Sequence, residues 1–307
     1  MKTAFLFPGL NGLLRQKDRE RYLELPHVKK RLQQAQTALI RELGISVDLI
    51  AMLAKNQDEI YRIDNISLAA VAISSIQVGV VDHLREQFPN PDWMVGVSLG
   101  DVARAVSAGA YEFETAIISY VKFTNEIDGI DKLGGNIGLA TTLQRPFTQE
   151  DFDWFEANGV DVSILTARFL NVGALFSALE KVREQARVRG WRVMPILDYP
   201  AHSRYIKPYV DAATKDFLKV ETVAPKTPLF STLSCRPLST SDEIKKEFLK
   251  TITDTIHFEK AITALHQEHG VTRFINIGPC KSLYTLLRDI PLNLKIEDAQ
   301  DLLTSTR

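Results

Sequence analysis

Apolar and polar positions alternate along this chain in blocks of two kinds. Residues 3–7, Thr-Ala-Phe-Leu-Phe, form a short continuous apolar run that reads as a buried strand. Residues 66–86 are apolar on nearly every side for most of their length, which predicts a buried helix. Residues 93–97, Trp-Met-Val-Gly-Val, predict the next strand, followed by helices over 99–109 and 111–126. Strands are expected at 136–143, near 161–171 and at 191–197, with a helix at about 172–189 before the last of these. A helix from 203, a short strand at 229–233, helices at about 241–250 and 257–268, a strand at 273–277 and a helix from 280 complete the pattern. Alternation of this kind predicts an α/β fold with a mainly parallel sheet. Residues 131–198, beginning beside Gly134-Gly135, carry a strand–helix rhythm of their own and read as an inserted α+β unit.

Composition narrows the picture. The chain has 307 residues, enough for one large domain or a domain with an insert. It is 45% apolar and 24% charged, as soluble globular proteins are. A net charge of −1 gives no overall field for nucleic acid. No uninterrupted apolar run reaches the roughly 20 residues of a bilayer span, so no membrane partner is expected. Cys235 and Cys280 stand far apart and form no metal-type pair, which fits a reduced, cytoplasmic setting.

One motif carries chemistry. Gly96-Val97-Ser98-Leu99-Gly100 fits G-x-S-x-G and falls between a predicted strand and a predicted helix, the context that motif requires. The tight turn pushes the serine hydroxyl outward, and the helix behind it supplies an N–H and a positive dipole end. A plain glycine turn with a capping serine has the same letters; the flanks favour the reactive reading. A serine nucleophile needs a base. Of six histidines, His202 follows a strand end, in Tyr199-Pro200-Ala201-His202-Ser203, where α/β sites assemble. Taken alone it reads as readily as a structural histidine; the Ser98 motif tips it toward a base. His266 and His269 are spaced i,i+3 but lack a third ligand, and His27 and His257 read as surface or cap residues, so no metal is expected.

Phe7-Pro8-Gly9 with Gly12, the Ser98 pentapeptide with Asp101, Ala201-His202-Ser203 and Ile277-Gly278-Pro279 occur in an order and spacing that resemble malonyl-CoA:acyl-carrier-protein transacylases and polyketide synthase acyltransferases, including the free-standing trans-acting type and its acyl hydrolases. The resemblance implies an α/β-hydrolase-like large subdomain (1–130 and 199–307) with a ferredoxin-like small one (131–198) inserted. It implies a ping-pong reaction through an acyl-serine, with Ser98 as nucleophile and His202 as base. The backbone N–H groups of Leu10 and Leu99 would form the oxyanion hole, and a main-chain carbonyl near Thr251 would orient His202. The acyl group would arrive on coenzyme A or on a carrier-protein phosphopantetheine, with no resident cofactor, an acyl carrier protein as partner, and the enzyme a monomer.

Departures from the family bear on substrate. The Arg that binds the malonyl carboxylate in the family matches Phe123 here; Val97 stands where the family has His, and Ala201 where malonyl-selective members have Phe. Burying a carboxylate without a cation is costly, so a non-malonyl acyl group is expected, in polyketide-type biosynthesis. Alternatives are an editing hydrolase with the same Ser–His pair, malonyl transfer itself, and a non-catalytic carrier-protein binder. Arg183, Arg187, Arg189 and Arg192 form a basic cluster that would dock an acidic carrier protein or serve as a solvated helix face.

Overall fold

A computed structural model describes residues 1–10, 16–125, 133–142, 145–217 and 219–304. Gly12 of the first loop and the expected boundary at 130/131 lie outside these residues. Ten strands are present among those described: β1 (Lys2–Phe7), β2 (Trp93–Gly96), β3 (Gly134–Ala140), β4 (Asp161–Thr166), β5 (Phe169–Leu175), β6 (Arg192–Leu197), β7 (Leu229–Phe230), β8 (Pro237–Leu238), β9 (Val271–Asn276) and β10 (Lys295–Asp298).

They form two sheets. The larger runs β10-β9-β1-β2-β7-β8 and is parallel except at the β7–β8 edge. β1 lies at its centre, paired to β2 and β9, and is fully buried from Ala4 to Phe7, which is why its sequence is a continuous apolar run. The smaller sheet is antiparallel, in the order β4-β5-β3-β6, with the helices Gln149–Ala157 and Phe176–Arg189 between its strands. That βαββαβ path with its two central strands is the ferredoxin-like arrangement, and all of it lies between Gly134 and Leu197.

The Ile66–Arg85 helix is the spine of the large unit. It is twenty residues long and apolar enough to cross a membrane by length and composition, although Ser74, Ser75, Gln77 and Asp82 interrupt its apolar run. Its apolarity answers to protein on all sides: residues 69–81 are buried throughout. It crosses the Pro26–Leu43 helix so closely that a Cβ at Gly79 would lie 2.6 Å from Val28 Cα. The helices between residues 16 and 60 are additions to the sequence reading. The longest of them does carry a stripe, Val28, Leu32, Ala35 and Leu39, at helical spacing, diluted by polar neighbours.

The small unit departs from expectation at two points: the single strand expected near 161–171 is an antiparallel pair, β4 and β5, and the helix expected from about 172 begins later. Residues 172–175 belong to β5, and the helix starts only at Phe176. The Val172-Gly173-Ala174 backbone is locked between β4 and β3, so sheet pairing overrides the helical pattern. The unit docks on the large one through Ser163, whose hydroxyl accepts the Ile256 N–H at 3.2 Å, and through an Arg168–Asp289 ion pair.

Candidate active site

The turn after β2 is built by exclusion of side chains. Ser98 adopts a left-handed backbone, φ 57°, which is strained for a residue with a Cβ. A Cβ on Gly96 would sit 2.2 Å from Asp101 Oδ1, and one on Gly100 would sit 2.0 Å from the Phe7 carbonyl oxygen. Both glycines are therefore steric requirements of the bend. The helix Gly100–Ser107 begins there with no side-chain cap; its first N–H groups, of Gly100 and Asp101, bond back to Val97 O at 3.1 Å and Ser98 O at 2.9 Å, tightening the bend. The opening loop lies against the same bend: a Cβ on Gly9 would meet the Val97 oxygen at 2.9 Å and Ser98 Cβ at 3.2 Å. The Val97 N–H donates to Phe7 O at 3.0 Å, tying the two loops together. The N–H groups of Leu10 and Leu99 donate to no protein acceptor among the described residues.

His202 also sits in left-handed backbone, φ 58°, and is 5% exposed. Its N–H donates to Ile252 O at 2.6 Å. The preceding carbonyl, Ala201 O, accepts from Asn136 Nδ2 at 2.9 Å, and Gly173 leaves room for it, since a Cβ there would come within 2.5 Å. Ser203 Oγ closes the turn onto Pro200 O. Thr251 follows the Ser241–Lys250 helix, so its carbonyl belongs to the negative helix end. That carbonyl faces the imidazole and favours its protonated form, while burial acts more strongly the other way and pulls the His202 pKa down to about 4. No aligned hydrogen bond closes onto Nδ1, which is buried without a partner. The ring is therefore neutral at physiological pH.

Ser98 and His202 line one cavity of about 740 Å³, together with Gly9, Leu10, Val97 and Asn136. No direct hydrogen bond between Ser98 and His202 occurs among the described contacts; such contacts are often loose before substrate binds. Leu165, Phe169, Leu197 and Ile256 give the cavity an apolar side. Its basic lining residues, Arg21 and Lys281, are both exposed, and Lys281 reaches Asp301 at 3.2 Å.

Other predicted positions fall elsewhere. Phe123 does not line this cavity: it is 2% exposed and packs edge-on against Phe217 and Phe248, themselves stacked at 4.4 Å. Ala201 is buried beneath the His202 turn and does not line it either. Lys122 opens onto a separate surface depression with Arg41 and Glu114. The basic cluster lies on the outer helix of the small unit and the start of β6, away from the cavity. Arg183 pairs with Glu180 at 3.3 Å and Arg189 with Glu150 at 2.5 Å, while Arg187 and Arg192 are exposed. His266 bonds Val271 O through Nδ1, and His269 packs on Trp93 and Phe230.

The structure adds residues that sequence reasoning did not name, and it gives ionic partners to one that the motif did include, Asp101. Asn136 and Gly173 shape the His202 turn from the small sheet. Gln77, fully buried, donates from its amide to Pro8 O at 2.8 Å and Gly278 O at 3.2 Å. Asp101, directly after the serine turn, is buried 2.8 Å from Arg104, with Glu247 4.0 Å from the same guanidinium. Burial raises the Asp101 pKa well above the carboxylate range, against the opposing pull of Arg104; the Thr251 hydroxyl also faces it. Thr251 thus sits between Asp101 and His202. The signal for Asp101 was present, since a carboxylate at that place in a buried helix turn demands a partner.

Residues 22–298 match the family model for the acyl transferase domain. The malonyl CoA-acyl carrier protein transacylase of Bacillus subtilis is 26% identical over 302 residues, covering 96% of this chain and 92% of that protein. The transacylase structure from Coxiella burnetii superposes with a TM-score of 0.82 at 21% identity, over 99% of this chain and 96% of that one. A structure of a malonyl-transacylase in complex with a type II polyketide acyl-carrier protein gives a TM-score of 0.82 at 18% identity and covers all of both chains. A strained serine turn, a neutral histidine on the same cavity and a family match across nearly the whole length lead to one conclusion: this chain is an acyltransferase of the acyl transferase domain family.

Proposed function

We propose that the protein transfers an acyl group between a coenzyme A or carrier-protein thioester and the phosphopantetheine thiol of an acyl carrier protein, through an acyl-Ser98 intermediate. The observation that carries this reading is the shared cavity of Ser98 and His202 beside two unengaged main-chain N–H groups. Ser98 Oγ attacks the thioester carbonyl as His202 takes its proton. The tetrahedral oxyanion accepts from the Leu10 and Leu99 N–H groups, each worth about 3–4 kcal/mol in such sites. The C–S bond breaks, and the proton on His202 passes to the departing thiolate. The carrier thiol then repeats these steps in reverse. The Thr251 carbonyl stabilises the imidazolium that forms in each half. This chemistry needs no resident cofactor. The relative solved with its acyl-carrier protein supports such a partner here.

The acyl group is proposed to be uncharged. The position that matches the family's carboxylate-binding Arg is Phe123, held among aromatic rings, and the cavity's basic lining residues are exposed. A carboxylate carried deep into this cavity would find no buried cation on its described walls. The relatives named as malonyl transacylases make malonyl the necessary control. Intact-mass measurement after incubation with malonyl-CoA and with neutral acyl-CoA thioesters tests both statements. Neutral groups are expected to add to Ser98 at least tenfold faster than malonyl and then pass to a carrier protein. Faster malonyl loading overturns the substrate reading. No adduct on Ser98 with any thioester overturns the mechanism. Release of free acid in preference to transfer makes the protein a hydrolase with the same nucleophile.

A further inference from the structure

We propose that His27, His83 and Glu86 form a binding site for a zinc-class transition-metal ion, clamping the start of the Pro26–Leu43 helix to the end of the Ile66–Arg85 helix. The three side chains each bring one ligand atom into a group in which all such atoms lie within 4.8 Å of one another, the one such group among the described residues. His83 and Glu86 are one helical turn apart, so both project from the same face. His27 reaches them from the second residue of the crossing helix, with Nε2 3.0 Å from Glu86 Oε1. The two imidazole rings meet edge-on at 5.5 Å between centroids.

Several features suit a cation. The Nδ1 atoms of both histidines are buried without hydrogen-bond partners, an unfavourable state for a polar nitrogen, while the Nε2 atoms face Glu86 at 3.0 Å from His27 and Gln87 at 3.2 Å from His83. His83 lies in the last turn of its helix, where unpaired carbonyls make the negative dipole end. The scaffold is rigid, because the helices cross backbone to backbone at Gly79 and Val28, the residue next to His27. On the same two helices Arg31 pairs with Asp82 at 2.7 Å, and Arg85 donates to Asn90 Oδ1 and Ser107 O. Two imidazoles and one carboxylate, with water in the fourth place, is a donor set for zinc and its neighbours; one carboxylate is too little oxygen for calcium or magnesium. Binding would displace the hydrogen between His27 and Glu86. The site is remote in role from Ser98 and does not depend on the proposed reaction.

The test uses the full chain, stripped with a chelator and dialysed. Zinc titration by calorimetry is expected to show one equivalent binding at micromolar affinity and to raise the melting temperature. Cobalt is expected to give the visible absorption of a four-coordinate ion, and magnesium and calcium to give neither signal. His27→Ala and His83→Gln should each abolish the stoichiometric event, and the exposed Glu86→Gln, which keeps a hydrogen bond to His27, should weaken it at least tenfold. Absence of zinc binding overturns the proposal. So does an isotherm unchanged in folded His27→Ala or Glu86→Gln protein, which would put the ion elsewhere.

Discussion

Ser98 and His202 both occupy left-handed backbone, at φ 57° and 58°, but the two bends are held in opposite ways. The serine bend is held by its own neighbours in sequence and by β1 next door: Gly96 and Gly100 clear the space, and the Val97 N–H bonds Phe7 O. The histidine bend is held from a distance. Asn136 and Gly173 reach it from the small sheet, and Thr251 and Ile252 from the end of a helix some fifty residues on. One bend is a property of a pentapeptide; the other is a property of two subdomains packed together. The proposed nucleophile should therefore fail through local strain, and the proposed base through loss of remote support.

The largest effect expected is from Ser98→Ala, which should lower acyl transfer by about 10⁴-fold or more, with no acyl adduct by mass, while the melting temperature changes little. Next is Gly100→Ala. Its Cβ would meet the Phe7 carbonyl at 2.0 Å, and since neither backbone can yield cheaply, a destabilisation of about 3 kcal/mol is expected in denaturant titration. The matching change on the other side, Asn136→Ala, leaves the buried Ala201 carbonyl unsatisfied and should cost about 1–3 kcal/mol. It should also slow acylation more than tenfold with fold retained; an unchanged rate would show that the histidine turn stands without the small sheet.

The most gradual effect is a matter of pH. Folded His202 titrates near 4, whereas an unfolded histidine titrates near 6.5. Between those values the unfolded chain holds the extra proton, so this residue's contribution is complete above pH 6.5 and declines as the pH falls toward 4, by at most about 1.4 kcal/mol per unit. Acylation rate, which needs the neutral ring, should hold level well below pH 6.5. His202→Ala should flatten the stability slope across that interval, as thermal melts at stepped pH would show.

The same contrast explains what could be read before any coordinates. The serine turn was legible because every requirement lies within five letters and their flanks. The α/β class, the central strand and the inserted unit were legible from apolar runs and their alternation. Phe123 was placed in the acyl pocket by counting along a helix, but counting does not report which way a ring turns, and Phe217 and Phe248 draw it into the core. Residues 172–175 looked helical because a short apolar stretch suits either period, and only the strands on both sides decide it. Asn136 and Gly173 were silent because nothing in their own neighbourhood marks the loop they support.

Gln77 gives the molecule one more property. Its amide spends both N–H bonds on carbonyls 270 residues apart, at Pro8 and Gly278, on the loops that leave β1 and β9. Those loops are far apart along the sequence, so the cleft cannot acquire its walls until the chain has been assembled past Gly278. A nascent fragment could carry the reactive serine and still lack the rim that makes it useful.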